Sequence, residues 1–158
     1  MERLWAPWRI DYILKEKEDK CFLCERPKEK DDEKNLIVFR GKKCFVILNR
    51  YPYNSGHLMI APYRHVLNIE ELDEEESNEL FSILKRTIIA LKEAFRPEGF
   101  NVGVNIGEAA GAGEEHLHFH VLPRWIGDTN FMPTLADVKV LPEHLRVTYG
   151  KLSKFFEG

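Results

Sequence analysis

The stretch HLHFHVL, residues 116–122, alternates histidine at 116, 118 and 120 with the apolar residues Leu117, Phe119 and Val121. Successive side chains of a strand point to opposite faces, so the pattern predicts a strand over 116–122 whose apolar half enters the core. The three imidazoles then share the other face, with about 6.5 Å between successive Cα atoms. The chain has six histidines, and half of them stand here. A face so built is a poor surface and a good chemical device, because imidazole ligates metals and exchanges protons near neutral pH.

The rest of the chain supplies a sheet for that strand. NLIVFRGKKCFVILN reads as a hairpin turning near Gly41, and GHLMIAP (56–62) as a third strand, stopped by Pro62. Met59 and Ile60 are core positions on it. Leu80, Leu84, Ile88, Leu91 and Phe95 step by three or four residues, the mark of one long amphipathic helix. Asp73 and Glu76 are spaced as its N-cap and N3 partner, and Pro97 and Gly99 end it. FNVGVNIGE predicts a further strand, running into the glycine-rich loop GEAAGAG. Leu145, Tyr149, Leu152 and Phe156 line up on a short C-terminal helix, with His144 on the surface at its start. The charged segment 26–34 predicts a solvated loop. Hairpins dominate and no repeated βαβ unit appears, so the expected class is α+β: an antiparallel sheet of about five strands with one long and one short helix.

A chain of 158 residues suits one domain, 1–158, with residues 1–20 as an arm bearing Trp5 and Trp8 and 21–158 as the core. Its 23 basic and 26 acidic residues give a net charge of −3, against a broadly basic nucleic-acid face. No apolar run reaches the roughly 18 residues that span a bilayer. The opening residues lack a secretory signal pattern and the three cysteines form no disulfide framework, so a cytoplasmic location is expected.

Two chemical readings of the histidines follow. Three imidazoles suit a catalytic zinc with an open position. Alternatively the middle histidine is a nucleophile toward phosphorus, forming a phosphoramidate that water or phosphate then breaks. The second reading needs an anion cradle, and GEAAGAG offers flexible backbone N–H groups beside the Asn105 amide. Arg9, Arg50 and Arg124 are candidates to neutralise a polyphosphate, Tyr51 and Tyr53 to flank a base, and Trp125 and Phe131 to shape a far subsite or a dimer contact. Cys21 and Cys24, in CFLC, read as a redox pair, half a zinc site or coincidence, with redox disfavoured by the absence of a thioredoxin-like context. Cys44 reads as a buried small apolar residue.

HLHFHVLPR resembles the signature of the histidine triad superfamily, His-φ-His-φ-His-φ-φ with φ apolar. VILNRYPYNSGHLMIAPYRHV is similar to that family's nucleotide-binding hairpin, and GFNVGVNIGEAAG to its phosphate strand and loop. LWAPWR and PRWIGDTNFM resemble the branch of diadenosine tetraphosphate phosphorylases and fragile-histidine-triad hydrolases. The resemblance implies that dinucleoside polyphosphates or related nucleoside phosphoesters are cleaved through a covalent adduct on His118. It implies that His120 contacts the transferred phosphate and that His57, of the Gly56-His57 pair, orients the triad. Asn49 would meet the ribose, while Asn105 and the backbone of Gly111 and Gly113 would hold phosphate oxygens. It further implies a structural zinc on Cys21, Cys24, His65 and His116, which frees His118 and His120 from metal, and a homodimer joined sheet edge to sheet edge. One position departs from the pattern. Ala112 stands where the family usually has Ser or Gln, so a phosphate-facing donor is missing. The alternative is therefore a nucleotide-binding or sensing protein with negligible turnover.

Overall fold

The computed structural model describes residues 20–50, 52, 54–128 and 144–157, and its centre is a pair of strands buried at every position. These are β2 (Cys44–Leu48) and β3 (Leu58–Pro62), antiparallel from Cys44↔Pro62 to Leu48↔Leu58. Strands covered on both faces carry continuous apolar runs, and CFVIL and LMIAP are such runs. Met59, Ile60 and Cys44 are buried as expected. β1 (Ile37–Arg40) completes the hairpin on one side. On the other, β5 (Phe119–Arg124) pairs β3, and β4 (Gly99–Val104) pairs β5. The order is β1-β2-β3-β5-β4, every pair antiparallel, which is the α+β sheet expected from the hairpin pattern.

Two short helical segments precede β1, α1 (Phe22–Glu25) and α2 (Asp32–Asn35). The segment expected as a plain loop is thus partly helical. Asp31 caps α2 by accepting from the Lys34 N–H, and Arg40 donates to the Pro27 and Glu29 carbonyls and to Asp32. The long helix α3 (Glu74–Phe95) carries the expected capping box of Asp73 and Glu76. Arg96, in a left-handed conformation at φ 50, ends it just before Pro97, while Gly99 opens β4. Leu80, Ile83, Leu91 and their neighbours bury against the sheet. The C-terminal helix α4 (Leu145–Phe156) begins at the exposed cap His144 and packs on α3 and β1. The Tyr149 hydroxyl donates to the Ile37 carbonyl, and Phe156 stacks on Phe39.

The histidine segment differs from expectation in where the strand begins. β5 begins at Phe119, not at His116, and continues to Arg124. Its partner β3 stops at Pro62, which has no N–H to continue a ladder. Residues 116–118 are held otherwise: the Leu117 N–H donates to the Val66 carbonyl, and the imidazoles of His116 and His118 bond backbone carbonyls. Leu117 and Val121 enter the core as the alternation predicts, and Phe119 packs against its edge. The expectations on Trp5, Trp8, Arg9, Tyr51, Tyr53 and Phe131 lie outside the described residues.

Candidate active site

The start of β5 lies where three segments meet: the turn before β3, the loop after β3, and the approach from β4. There the histidines separate into two groups.

His116 turns toward the N-terminal segment. Its ring is buried and stands edge-on to His65, while Cys21 and Cys24 approach from α1. The ligand atoms of Cys21, Cys24, His65 and His116 all lie within 4.8 Å of one another. Cys24 Sγ is 3.2 Å from His65 Nδ1 and 3.4 Å from His116 Nδ1, Cys21 Sγ is 3.3 Å from His116 Nδ1, and the two Nδ1 atoms are 3.2 Å apart. Ligands of a tetrahedral zinc, with bonds of about 2.3 Å to sulfur and about 2.0 Å to nitrogen, lie about 3.3–3.8 Å from each other. The donor set therefore fits a metal ion with little adjustment.

The protons agree with that fit. His116 Nε2 is 2.8 Å from the Pro62 carbonyl, which can only accept, so Nε2 carries the proton and Nδ1 presents a lone pair to the cluster. Burial pushes the Cys21 thiol up to about 11, so its thiolate form needs a neighbouring cation. The cluster is braced from outside. Arg64, adjacent to His65, donates to the buried Glu76 carboxylate and to the Glu71 carbonyl, which fastens the His65 loop to the start of α3. Glu76 is legible in the sequence as a capping residue, but nothing there marks Arg64 as its second partner.

His118 turns the other way and touches His120, with ring centroids 4.8 Å apart. Its Nδ1 lies 2.7 Å from the His116 carbonyl. A carbonyl only accepts, so Nδ1 carries the proton and Nε2 keeps its lone pair. Burial lowers the affinity of His118 for a second proton. His120 is pushed down to about 4, first by burial and then by the charge His118 would carry. Both rings are neutral at pH 7. His57, wholly buried on the turn before β3, places Nε2 2.8 Å from His120 Nδ1. Asn49 Nδ2 lies 3.5 Å from the same His57 nitrogen. The structure thus gathers His57, His118, His120 and Asn49 into one group. A buried, neutral imidazole with a free lone pair, backed by two more imidazoles, is equipped to attack an electrophile.

The glycine-rich loop is less committed. Asn105, Gly111 and Gly113 are exposed on the way from β4 to His116. The Gly111 N–H already donates to the Glu108 carbonyl, and the Ala112 N–H to that of Gly107, inside a turn of 3-10 helix. Arg124 is engaged with the Asp128 carboxylate and with Asn101.

A family model described as the HIT domain matches residues 30–125. An AP-4-A phosphorylase of Mycobacterium tuberculosis is 43% identical over 157 residues, covering 94% of this chain and 80% of that protein. A bis(5'-adenosyl)-triphosphatase of Dictyostelium discoideum is 31% identical over 88 residues, 56% of this chain and 59% of its own. Among solved structures, a hypothetical histidine triad nucleotide-binding protein from Sulfolobus tokodaii superposes with a TM-score of 0.69 at 27% identity, covering 86% of this chain and 91% of that one.

Proposed function

Because this chain belongs to the HIT domain family, we propose that it cleaves dinucleoside polyphosphates or related nucleoside phosphoesters by nucleotidyl transfer through His118. One observation carries the reading: the bond from His118 Nδ1–H to the His116 carbonyl, at 2.7 Å, which leaves Nε2 unprotonated in a buried site. His118 Nε2 attacks the α-phosphorus, the Nε2–P bond forms, and the bond from phosphorus to the bridging oxygen breaks. The leaving polyphosphate departs on that oxygen. Water or inorganic phosphate then attacks the same phosphorus and the Nε2–P bond breaks, returning the imidazole.

His120 serves the transferred phosphoryl group. His57 Nε2, 2.8 Å from His120 Nδ1, orients the neutral His120 ring toward the phosphoryl group. Asn49 would meet the ribose, and Asn105 with the backbone at Gly111 and Gly113 would cradle the phosphates. With Gly111 and Ala112 donating inside their own turn, the cradle leans on Asn105 and Gly113.

Cys21, Cys24, His65 and His116 would hold a zinc ion, which when bound supplies a structural cross-link between the N-terminal segment and β5. A homodimer fits the sheet as well: β4 is an outer strand of the described sheet, with Val102 exposed, and pairing two such edges covers both. The second reading, a nucleotide sensor with negligible turnover, draws on Ala112, whose methyl group offers no donor. Among the described residues no helix is long and apolar enough to cross a membrane.

The test is the fate of diadenosine tetraphosphate. Label from an α-phosphate-labelled substrate is expected on His118 in quenched protein, with ATP released. ADP formed only when phosphate is present identifies a phosphorylase, and AMP formed without it a hydrolase. Neither product nor adduct at high enzyme concentration favours the sensor.

A further inference from the structure

The turn that carries His57 is tethered to a carboxylate outside the histidine group. Asn54, buried, uses both amide protons of Nδ2: one reaches Asp128 Oδ2 at 2.8 Å, the other the Pro123 carbonyl at 3.3 Å. Only an N–H can donate to these two acceptors, so the amide orientation is fixed. The Asn54 carbonyl in turn accepts the His57 N–H at 3.1 Å. Asp128 is itself held. Arg124 grips its two oxygens through Nε and Nη2 at 2.7 and 2.8 Å, and the Trp125 N–H reaches Oδ2 at 3.1 Å.

The turn has little room to move in other directions. Gly56 adopts φ +83, and a Cβ there would come within 3.0 Å of Pro123 Cγ and 3.3 Å of Leu91 Cδ2. Apolar packing thus fixes the turn against β5 and α3, and the Asn54–Asp128 bond fixes it along the remaining polar side. Only Ser55 and Gly56 separate Asn54 from His57, and His57 Nε2 stands 2.8 Å from His120 Nδ1. A displacement at Asn54 is passed to His120 with few soft torsions between.

We propose that Asp128 and Asn54 are positioning residues for the phosphoryl-transfer step, holding His57 so that its ring sets the orientation of His120. The inference rests on the function proposed above. Neither residue touches the reacting atoms. A misplacement of about 1 Å in catalytic groups lowers rates about 100-fold, so loss of the tether acts on kcat while substrate binding persists. Asp128→Ala removes both acceptor oxygens, and the tether is lost.

Full-length wild type, Asp128→Ala, Asn54→Ser and a control, Tyr149→Phe, which loses a distant bond to the Ile37 carbonyl, are compared with diadenosine tetraphosphate. For the first two variants kcat is expected to fall 10- to 100-fold, with KM within about twofold. The imidazole ¹⁵N resonances of His57 and His120 should shift in nucleotide-free protein, and bound metal should be unchanged. The control should move none of these. The proposal is overturned by kcat within twofold of wild type, by unshifted resonances despite lower kcat, or by an equal loss in the control. Failure of both variants to fold also overturns it, since the tether is then structural. The resonances are read without turnover, so they test the tether even if His118 proves not to be the nucleophile.

Discussion

Two histidines two residues apart, His116 and His118, receive opposite equipment from the same kind of bond. Each donates one ring N–H to a backbone carbonyl, but from different nitrogens. His116 uses Nε2 on Pro62, which points the Nδ1 lone pair at two cysteines and His65. His118 uses Nδ1 on His116 itself, which leaves Nε2 as a lone pair beside His120. The first arrangement gathers several lone pairs that need a cation between them; the second isolates one lone pair that needs an electrophile. The choice of carbonyl, more than the residue type, divides the proposed metal ligand from the proposed nucleophile.

The largest effect should fall on the second group. His118→Asn is expected to lower turnover of diadenosine tetraphosphate by about 10⁴-fold or more, as loss of a covalent nucleophile does elsewhere. Bound zinc and Tm should stay near wild type, because the substitution leaves the four ligands in place. Steady-state kinetics with metal analysis checks both. Loss of zinc in this variant would mean that the two groups are one site.

Cys24→Ser should act on the other group. Metal content is expected to fall from about one ion per chain to near zero, with a stability loss of several kcal/mol and a clear drop in Tm. Turnover per folded molecule should fall less than in His118→Asn, since the His118–His116 carbonyl bond is a main-chain contact that survives. Wild-type metal content near zero in protein purified without chelator breaks the comparison, and so does turnover abolished as fully as by His118→Asn.

Much of this division is legible in the sequence, for reasons that can be named. The apolar runs CFVIL and LMIAP, the capping box at Asp73 and Glu76, and the alternation around Leu117 and Val121 are local signals, and local signals survive folding. The ligand and nucleophile assignments come from motif resemblance, and the structure brings Cys21, Cys24, His65 and His116 together in one place and His57, His118 and His120 in another. What escapes sequence reading is long-range. That β5 starts at Phe119 depends on where Pro62 ends the partner strand. Arg64 with Glu76, and Asn54 with Asp128, are partners 12 and 74 positions apart, with no pattern linking them.

The smallest expected effect concerns pH, and it separates the groups by their protons. Burial holds His118 below its ordinary value and pushes His120 down to about 4, while an unfolded histidine titrates near 6.5. Between those values the unfolded chain binds protons that the folded one refuses, so acid favours unfolding. The stability these rings contribute is full above about pH 6.5 and is lost as pH falls toward 4, by at most about 1.4 kcal/mol per pH unit for each ring. Acid also releases metal, which confuses the reading in wild type. A Cys24→Ser background removes that contribution. There, unfolding free energies at pH 7.5, 6.5, 5.5 and 4.5 should decline less steeply in Cys24→Ser/His120→Asn than in Cys24→Ser alone, and the two should converge in slope above pH 6.5. Equal slopes below pH 6.5 would mean that the folded protein admits a proton to His120 freely. The distinction between a ring held neutral for phosphoryl transfer and one held neutral for metal would then fail on the His120 side first.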